Sequence, residues 1–199
     1  PGAIGASGSI FFKGGALRWG TGVNTDPSAR FAPVSTGGSM PLDSNGNTLS
    51  LASALTGGGT LFKNGLGQIT LLNTVALSGG AQVLVGTLQI GNGGTAGSVS
   101  GSIALSGGVL AFNRSDTLSL TGSLSGSGVL EQRGSGILSI VGDLPLAGTL
   151  RVNAGSVLLG NGATSGSLSV SNAQVDGSLV FHRSDAVTFG AALSGAGLL

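Results

Sequence analysis

The sequence predicts an all-β fold in which short strands wind into a parallel β-helix, or β-solenoid. Apolar and polar residues alternate over about four positions in residues 48–51, 117–120 and 137–140, which is the pattern of a half-buried strand. No segment keeps helical spacing over a dozen residues, and glycine supplies 40 of 199 positions. Each interior glycine would destabilise a helix by about 1 kcal/mol relative to alanine. The third observation is a long internal repeat.

A 69-residue period relates the copies of the internal repeat. The segments LTGGGTL, LSGSGVL and LSGAGLL begin at residues 55, 124 and 193. The segments GALRWGTG, GTLQIGNG and GSVLLGNG begin at residues 15, 86 and 155, so the first of these spacings is 71 residues and the early copy is slightly longer and more divergent. Residues 88–130 and 157–199 are identical at 20 of 43 positions without a gap. Repetition on this scale indicates stacked units. We expect a single solenoid segment over residues 1–199 with units at roughly 15–85, 86–154 and 155–199.

The length of the repeat predicts about three coils of roughly 20–25 residues each, with leucine, valine and isoleucine inward and glycine at the turns. One coil would lose on the order of 25–45 kcal/mol of backbone entropy on ordering. Six to eight buried aliphatic side chains contribute roughly 1.5–3 kcal/mol each, which does not offset that loss. The coils are therefore expected to be stable only when stacked. Because residue 199 falls inside a unit, we expect the chain to be a fragment of a longer one, or its ends to meet other copies of the chain.

The composition restricts the classes of partner. The net charge is +1, only 8% of residues are charged, and there is no Lys/Arg cluster, so we expect no nucleic-acid partner. The absence of cysteine rules out disulfides and thiolate metal sites. No apolar run approaches the length of a membrane-spanning helix, about 18 residues or more, so we expect no direct membrane insertion of this segment.

The one histidine lies in a candidate reactive cluster, His182-Arg-Ser-Asp185. A Ser–His–Asp triad needs a base held by an acid beside a hydroxyl. The preceding copy of the repeat, residues 113–116, has asparagine at the histidine position and keeps Arg-Ser-Asp, and the copy at 43–47 keeps none of them. We therefore predict no catalytic residue, and a turn in each of the two later copies in which Arg114 and Asp116, or Arg183 and Asp185, satisfy the turn backbone or pair across it.

Other candidate sites are also weak. The loop at 91–97 has no following lysine or helix with which to hold a phosphate, and neither a calcium nonapeptide nor His/Cys metal spacing is present. Trp19, Phe112 and Phe181 could stack on sugars, but the two phenylalanines occupy matching repeat positions, which favours core or turn packing. The acidic residues are scattered singly, at Asp26, Asp43, Asp116, Glu131, Asp143, Asp176 and Asp185. We expect no metal and no cofactor.

Several segments resemble the autotransporter-associated β-strand repeat of bacterial surface proteins. They are GGTLFKNGLGQITLLN at 58–73, GSGVLEQRGSGILSIVG at 126–142, and residues 179–199; residues 15–33 resemble another segment common in such passengers. The resemblance implies a right-handed parallel β-helix, exported by a C-terminal outer-membrane barrel and displayed on the bacterial surface or released outside the cell.

These observations predict a structural or interaction scaffold, and not an enzyme. The expected roles are a stalk, an adhesin or a self-associating passenger segment, with other copies of itself or host and cell-surface molecules as partners. Two alternatives stay open, namely a polysaccharide lyase or hydrolase and a carbohydrate-binding adhesin on the same scaffold. A groove that gathers three or more acidic and basic side chains would favour the enzyme.

Overall fold

The computed structural model describes residues 7–199, and it confirms the predicted all-β parallel solenoid. One 3₁₀ turn, Ser28–Arg30, accompanies the strands. The strands in chain order are β1 (Leu17–Arg18), β2 (Ser39–Asp43), β3 (Thr48–Leu51), β4 (Leu55–Gly57), β5 (Thr60–Asn64), β6 (Gln68–Leu71), β7 (Thr74–Leu77), β8 (Ala81–Val83), β9 (Thr87–Ile90), β10 (Ser98–Ser100), β11 (Ile103–Leu105), β12 (Val109–Phe112), β13 (Thr117–Leu120), β14 (Leu124–Gly126), β15 (Val129–Gln132), β16 (Ile137–Ile140), β17 (Thr149–Val152), β18 (Ser156–Leu159), β19 (Asn172–Val175), β20 (Ser178–Phe181) and β21 (Ala192–Ser194).

The strands form parallel sheets on three faces of the solenoid. Sheet A has the order β1-β2-β5-β8-β11-β14, and sheet B has the order β3-β6-β9-β12-β15-β17-β19-β21. The third face holds sheet C (β4-β7-β10) and then sheet D (β13-β16-β18-β20). From β2 onward the chain visits A, B and C in turn, and from β11 it visits A, B and D. Sheet A is continued beyond β14 by isolated bridges, which pair Gly126 with Leu146 and Leu144 with Leu168.

The coils are slightly shorter than a third of the sequence repeat. The two shortest steps between paired strands join Gln68 to Thr87 and Ile137 to Ser156, and the longest joins Leu17 to Leu42. Along sheet B, seven steps lead from Thr48 to Ala192. The average coil therefore takes about 21 residues, at the lower end of the range expected for such repeats.

The 69-residue repeat is consequently not a whole number of coils. Strand β3 and its copy β13 are ten strand positions apart along the chain, and three positions complete one coil. The repeat therefore covers three coils and one further face, which refines the expectation of about three coils. Strands β3, β6 and β9 lie in sheet B, whereas their copies β13, β16 and β18 lie in sheet D.

The core is a ladder of aliphatic side chains shared between consecutive coils. Alternation in each strand sends every second side chain inward. The second position of six consecutive sheet B strands is at most 1% exposed: Leu49, Ile69, Leu88, Leu110, Leu130 and Leu150. This shared interior supplies the burial that one coil cannot supply alone.

Three glycines show that the copies keep their local structure although the face changes. Gly57, Gly126 and Gly195 occupy the same position of the repeat, and their φ angles are 129°, 102° and 108°, in the region that favours glycine. A Cβ at each position would overlap the backbone carbonyl of a residue in the coil before it, at Val34, Leu105 and Val175 respectively. Gly57 ends β4 in sheet C, Gly126 ends β14 in sheet A, and Gly195 follows β21 in sheet B.

Candidate interaction surface

The outer side of sheet B carries a group of polar side chains that we name the Arg133 cluster. In strands β6, β9, β12 and β15 the outward third positions are aligned in register, as Thr70, Gln89, Ala111 and Glu131. None of these four is more than 6% exposed, although each points away from the core. The cluster comprises Gln68, Thr70, Gln89, Glu131, Arg133 and Asn153.

Arg133 holds the cluster together. Its Nη1 donates to Gln68 Oε1 at 2.9 Å and to Gln89 Oε1 at 3.0 Å, and its Nη2 donates to Glu131 Oε2 at 2.7 Å. Gln89 and Glu131 lie on the two strands that flank Ala111, so the guanidinium bridges the strands on both sides of this small residue. Ala111 is completely buried as a result.

Further hydrogen bonds complete the cluster. Asn153 Nδ2 donates to Glu131 Oε1 at 2.6 Å, Gln68 Nε2 donates to Thr70 Oγ1 at 2.9 Å, and Gln89 Nε2 donates to the Gly91 carbonyl at 2.9 Å. Every buried side-chain nitrogen and oxygen of the described residues has a hydrogen-bond partner. The Arg133 side chain remains 30% exposed and Asn153 is exposed, so donors and acceptors are available at the outer margin of the cluster.

The chemistry of the Arg133 cluster is that of a polar contact surface. It gathers one carboxylate and one guanidinium with three side-chain amides, which falls short of the three or more acidic and basic groups expected of a polysaccharide-cleaving groove. Sequence patterns did not reveal it, because Gln68, Gln89 and Arg133 meet only through the stacking of separate coils. The outward alternation of residues 129, 131 and 133 could have indicated that Glu131 and Arg133 share a face.

Lys63 is the second functional group that sequence reasoning missed. It occupies an inward-facing position of sheet A at which the two neighbouring strands carry Leu42 and Val83, and it is completely buried. Its Nζ donates to the carbonyls of Asn64 (2.9 Å), Gly65 (2.7 Å) and Val85 (3.1 Å).

Burial disfavours the charged amine and lowers the pKa of Lys63 from 10.5 to about 8, although the negative charge of Asp43 opposes this effect. Three carbonyl acceptors nevertheless surround the amine at the corner between sheets A and B. The arrangement closes a turn, and the amine is not exposed to any ligand.

The His182–Asp185 segment does not assemble a triad. The Asp185 carboxylate accepts hydrogen bonds from Arg183 Nε (2.9 Å) and Nη2 (2.8 Å), which lower the pKa of Asp185 and raise that of Arg183. His182 is exposed, and among the described residues its side chain makes no hydrogen bond to Ser184 or Asp185.

The preceding copy forms the same turn and confirms the predicted Arg–Asp pair. Arg114 Nε and Nη2 donate to Asp116 at 2.8 and 2.6 Å, and these bonds lower the pKa of the Asp116 carboxyl. Arg114 Nη1 also donates to the carbonyl of Gly97 in the loop of the previous coil. The arginine thus packs against a long glycine-rich loop, which explains why Arg-Ser-Asp follows that loop in both copies.

The aromatic residues considered as sugar-stacking candidates pack within the fold to different extents. Trp19 is 5% exposed and donates through Nε1 to the Thr25 carbonyl at 2.9 Å. Phe112 is buried, whereas Phe181 is 38% exposed and makes an edge-on ring contact with Phe189. Within residues 7–199, no three His, Cys, Asp or Glu side chains converge as a metal site would require.

A separate observation concerns membranes: the described part of the chain contains no helix with the length and apolar character needed to cross a bilayer.

A parallel β-solenoid with outward polar strips and glycine-rich repeats resembles the passengers of bacterial autotransporters. Over 125 residues the chain is 38% identical to the adhesin BmaC autotransporter of Brucella suis biovar 1 (strain 1330). The match covers 63% of this chain and 4% of that relative, so the chain spans a small fraction of the relative's length. No family model matches the chain, and no solved structure matches it significantly.

Proposed function

We propose that this chain is a scaffold segment of a bacterial surface adhesin, displayed outside the cell. The observation that supports it is the eight-stranded sheet B. Strand pairing holds its outward side chains in fixed register, and buried aliphatic residues pack beneath it. A scaffold of this kind presents contact residues at regular spacing without refolding. The similarity to an autotransporter adhesin supports the same role.

Adhesion by the chain itself is the property to measure. Beads coated with the folded chain should adhere to beads carrying the same chain or to cultured host cells, more strongly than beads coated with heat-unfolded chain do. Equal retention of folded and unfolded coatings on both targets would contradict an adhesive role. Release of reducing sugars from a panel of polysaccharides would instead support the enzyme alternative.

A carbohydrate ligand is a second candidate, and the Arg133 cluster is the observation that favours it. A guanidinium, a carboxylate and side-chain amides are the groups that hydrogen-bond sugar hydroxyls. Asn153 is the exposed member of the cluster and donates to Glu131.

A glycan array can test this second candidate with two matched variants. Asn153→Ala should abolish any glycan signal, because it removes the exposed amide of the cluster. Asn172→Ala, which changes an exposed asparagine on the neighbouring strand β19 of the same sheet, should leave the signal intact. Equal signals from the two variants would exclude the cluster as the site.

A further inference from the structure

Strand β3 has a paired strand on one side only. It is the first strand of sheet B and pairs with β6, and no earlier strand in residues 7–199 joins it. The other two faces are paired at the same level of the solenoid, because β2 pairs with β1 in sheet A and Val34 bridges Gly57 at the end of β4. The open side of β3 is therefore a property of this one face.

The register of β3 identifies the backbone groups on its open side. The Leu51 carbonyl accepts a hydrogen bond of 3.0 Å from the nitrogen of Leu72, the residue after β6. Successive residues of a strand in a parallel ladder direct their N–H and C=O groups to opposite sides, so those of Thr48 and Ser50 point away from β6. Within residues 7–199 these groups have no hydrogen-bond partner, and both residues are exposed.

A loop crosses this face where the preceding strand would lie. Before β3, Asn47 Nδ2 donates to the Gly20 carbonyl at 2.9 Å. After β3, the Ala52 nitrogen donates to Asp26 Oδ2 at 2.8 Å. Residues 21–25 lie between these two contacts, and all of them are exposed. The loop is thus held at both ends of β3, and the middle of the strand stays unpaired.

The surroundings of β3 restrict what could pair with its open side. Leu49 and Leu51 are at most 1% exposed, so the interior beside β3 is closed and favours small inward side chains on a partner strand. The outward side chains of that strand would lie beside Thr48 and Ser50, and small hydroxyl-bearing residues suit such neighbours. The partner that fits is an extended peptide in which alanine or glycine alternates with threonine or serine.

We infer that the open side of β3 is a strand-addition site, which binds an extended segment of a partner protein, rich in threonine, serine and alanine, through main-chain hydrogen bonds. Unpaired strand edges are templates for pairing with another chain, and an added strand gains its affinity from the backbone and its specificity from alternate side chains. The site is separate from the Arg133 cluster, since it uses the edge of sheet B and not its outer side chains.

Binding of a synthetic peptide tests the site. Fluorescein-labelled GTATATG is titrated with the folded chain and followed by fluorescence anisotropy. Hydrogen exchange of the Thr48 and Ser50 amides is measured with and without the peptide. We expect saturable binding and slower exchange at both amides. The absence of saturable binding at chain concentrations up to about 1 mM would overturn the inference, and since the assay involves no adhesion it would leave the proposed function unaffected.

N-methylated peptides separate backbone pairing from other contacts. All strand pairs of sheet B are parallel, and in a parallel addition with threonine outward the alanine nitrogens of the peptide face β3. Methylation of the alanine nitrogens should weaken binding about tenfold or more, because it removes the donors to β3. Methylation of the threonine nitrogens should leave binding unchanged. Equal binding of the two methylated peptides would contradict strand addition.

Two variants of Ser50 provide the matched comparison. Ser50→Pro removes the N–H group on the open side and none that bonds to β6, and proline is compatible with an edge strand in this orientation. It should keep the parental thermal midpoint and bind GTATATG about tenfold more weakly. Ser50→Ala keeps the backbone donor and should bind as the parent chain does. Equal binding by the two variants would overturn the inference, and if Ser50→Pro fails to fold, the methylated peptides decide.

Discussion

Lys63 and Gln132 are copies of the same repeat position, and both donate hydrogen bonds from the interior to the turn that follows their strand. Gln132 Nε2 donates to the carbonyls of Gly134 (3.1 Å) and Gly136 (2.9 Å), in the way that Lys63 Nζ bonds the turn after β5. The two strands lie in sheets A and B. The buried carbonyls of the turn are therefore hydrogen-bonded by an ammonium group in one copy and by an amide group in the other.

The first prediction is that Lys63→Gln is more stable than Lys63→Met. Glutamine can donate to the turn carbonyls as Gln132 does, whereas methionine leaves them without a partner, at a cost of about 1–3 kcal/mol for an unsatisfied buried group. Urea unfolding of both variants at pH 7 measures the difference. Equal free energies of unfolding would show that the carbonyl contacts contribute nothing.

The second prediction concerns alkaline pH. The pKa of Lys63 is about 8 when folded against 10.5 as the ordinary value, so between these values the unfolded chain binds more protons. Stability should therefore rise from about pH 8 to about pH 10.5, by at most about 3 kcal/mol. The rise should be absent from Lys63→Gln, and an identical profile for the variant and the parent chain would contradict this assignment.

The third prediction is that Arg133→Ala destabilises the chain by about 2–3 kcal/mol, because it leaves Glu131 and two glutamine oxygens without their charged donor. Arg151→Ala is the matched control, since Arg151 is exposed on the strand next to β15. Its effect should stay within about 0.5 kcal/mol. Denaturant unfolding of the two variants compares them, and similar losses would mean that Arg133 acts only through surface packing.

The fourth prediction is that Gly126→Ala is destabilising by about 2–4 kcal/mol, from a left-handed backbone and overlap with the Leu105 carbonyl. Gly142→Ala serves as control, because a Cβ there meets nothing within 4 Å and its φ lies outside the left-handed region. Thermal unfolding should show a lower midpoint only for Gly126→Ala. A normal midpoint for that variant would argue against the stacked turn at this position.

The fifth prediction concerns acid. Asp143 accepts from Ser167 Oγ (2.7 Å), from the Ser167 nitrogen (2.9 Å) and from the Gly166 nitrogen (3.1 Å), and these bonds lower its pKa below 3.8. The stability that the carboxylate contributes is present above pH 3.8 and is lost as pH falls through the lower folded value. Asp143→Asn should be less stable at pH 7 and should lose less stability between pH 5 and pH 2. Parallel pH profiles for the two proteins would contradict this role.

The sequence predicts strands well here because alternation and glycine are local signals. Residues 48–51, 117–120 and 137–140 are strands as expected, and the Arg–Asp turns follow from comparing copies. The exact coil length could not be inferred from the 69-residue repeat. Dividing the repeat into whole coils assumes that a strand and its copy lie on the same face of the solenoid. The paired registers show that they do not.

The buried polar groups were missed for a different physical reason. When strand β5 is considered alone, a lysine at position 63 is expected on the surface. Lys63 is buried because it shares the inward face with Leu61 and because carbonyls of the adjacent turns accept hydrogen bonds from its amine. The Arg133 cluster joins residues up to 65 positions apart in the chain. Both depend on contacts between coils that no local pattern contains.

The ten-strand period also bears on how such a chain could have grown. A copied segment keeps its turns and its inward side chains on whichever of the three faces it occupies. A duplication in the gene therefore need not return each strand to the same face of the solenoid. The interchangeable module is then the single strand with its corner, and lengthening by any number of these modules would leave the hydrophobic column intact.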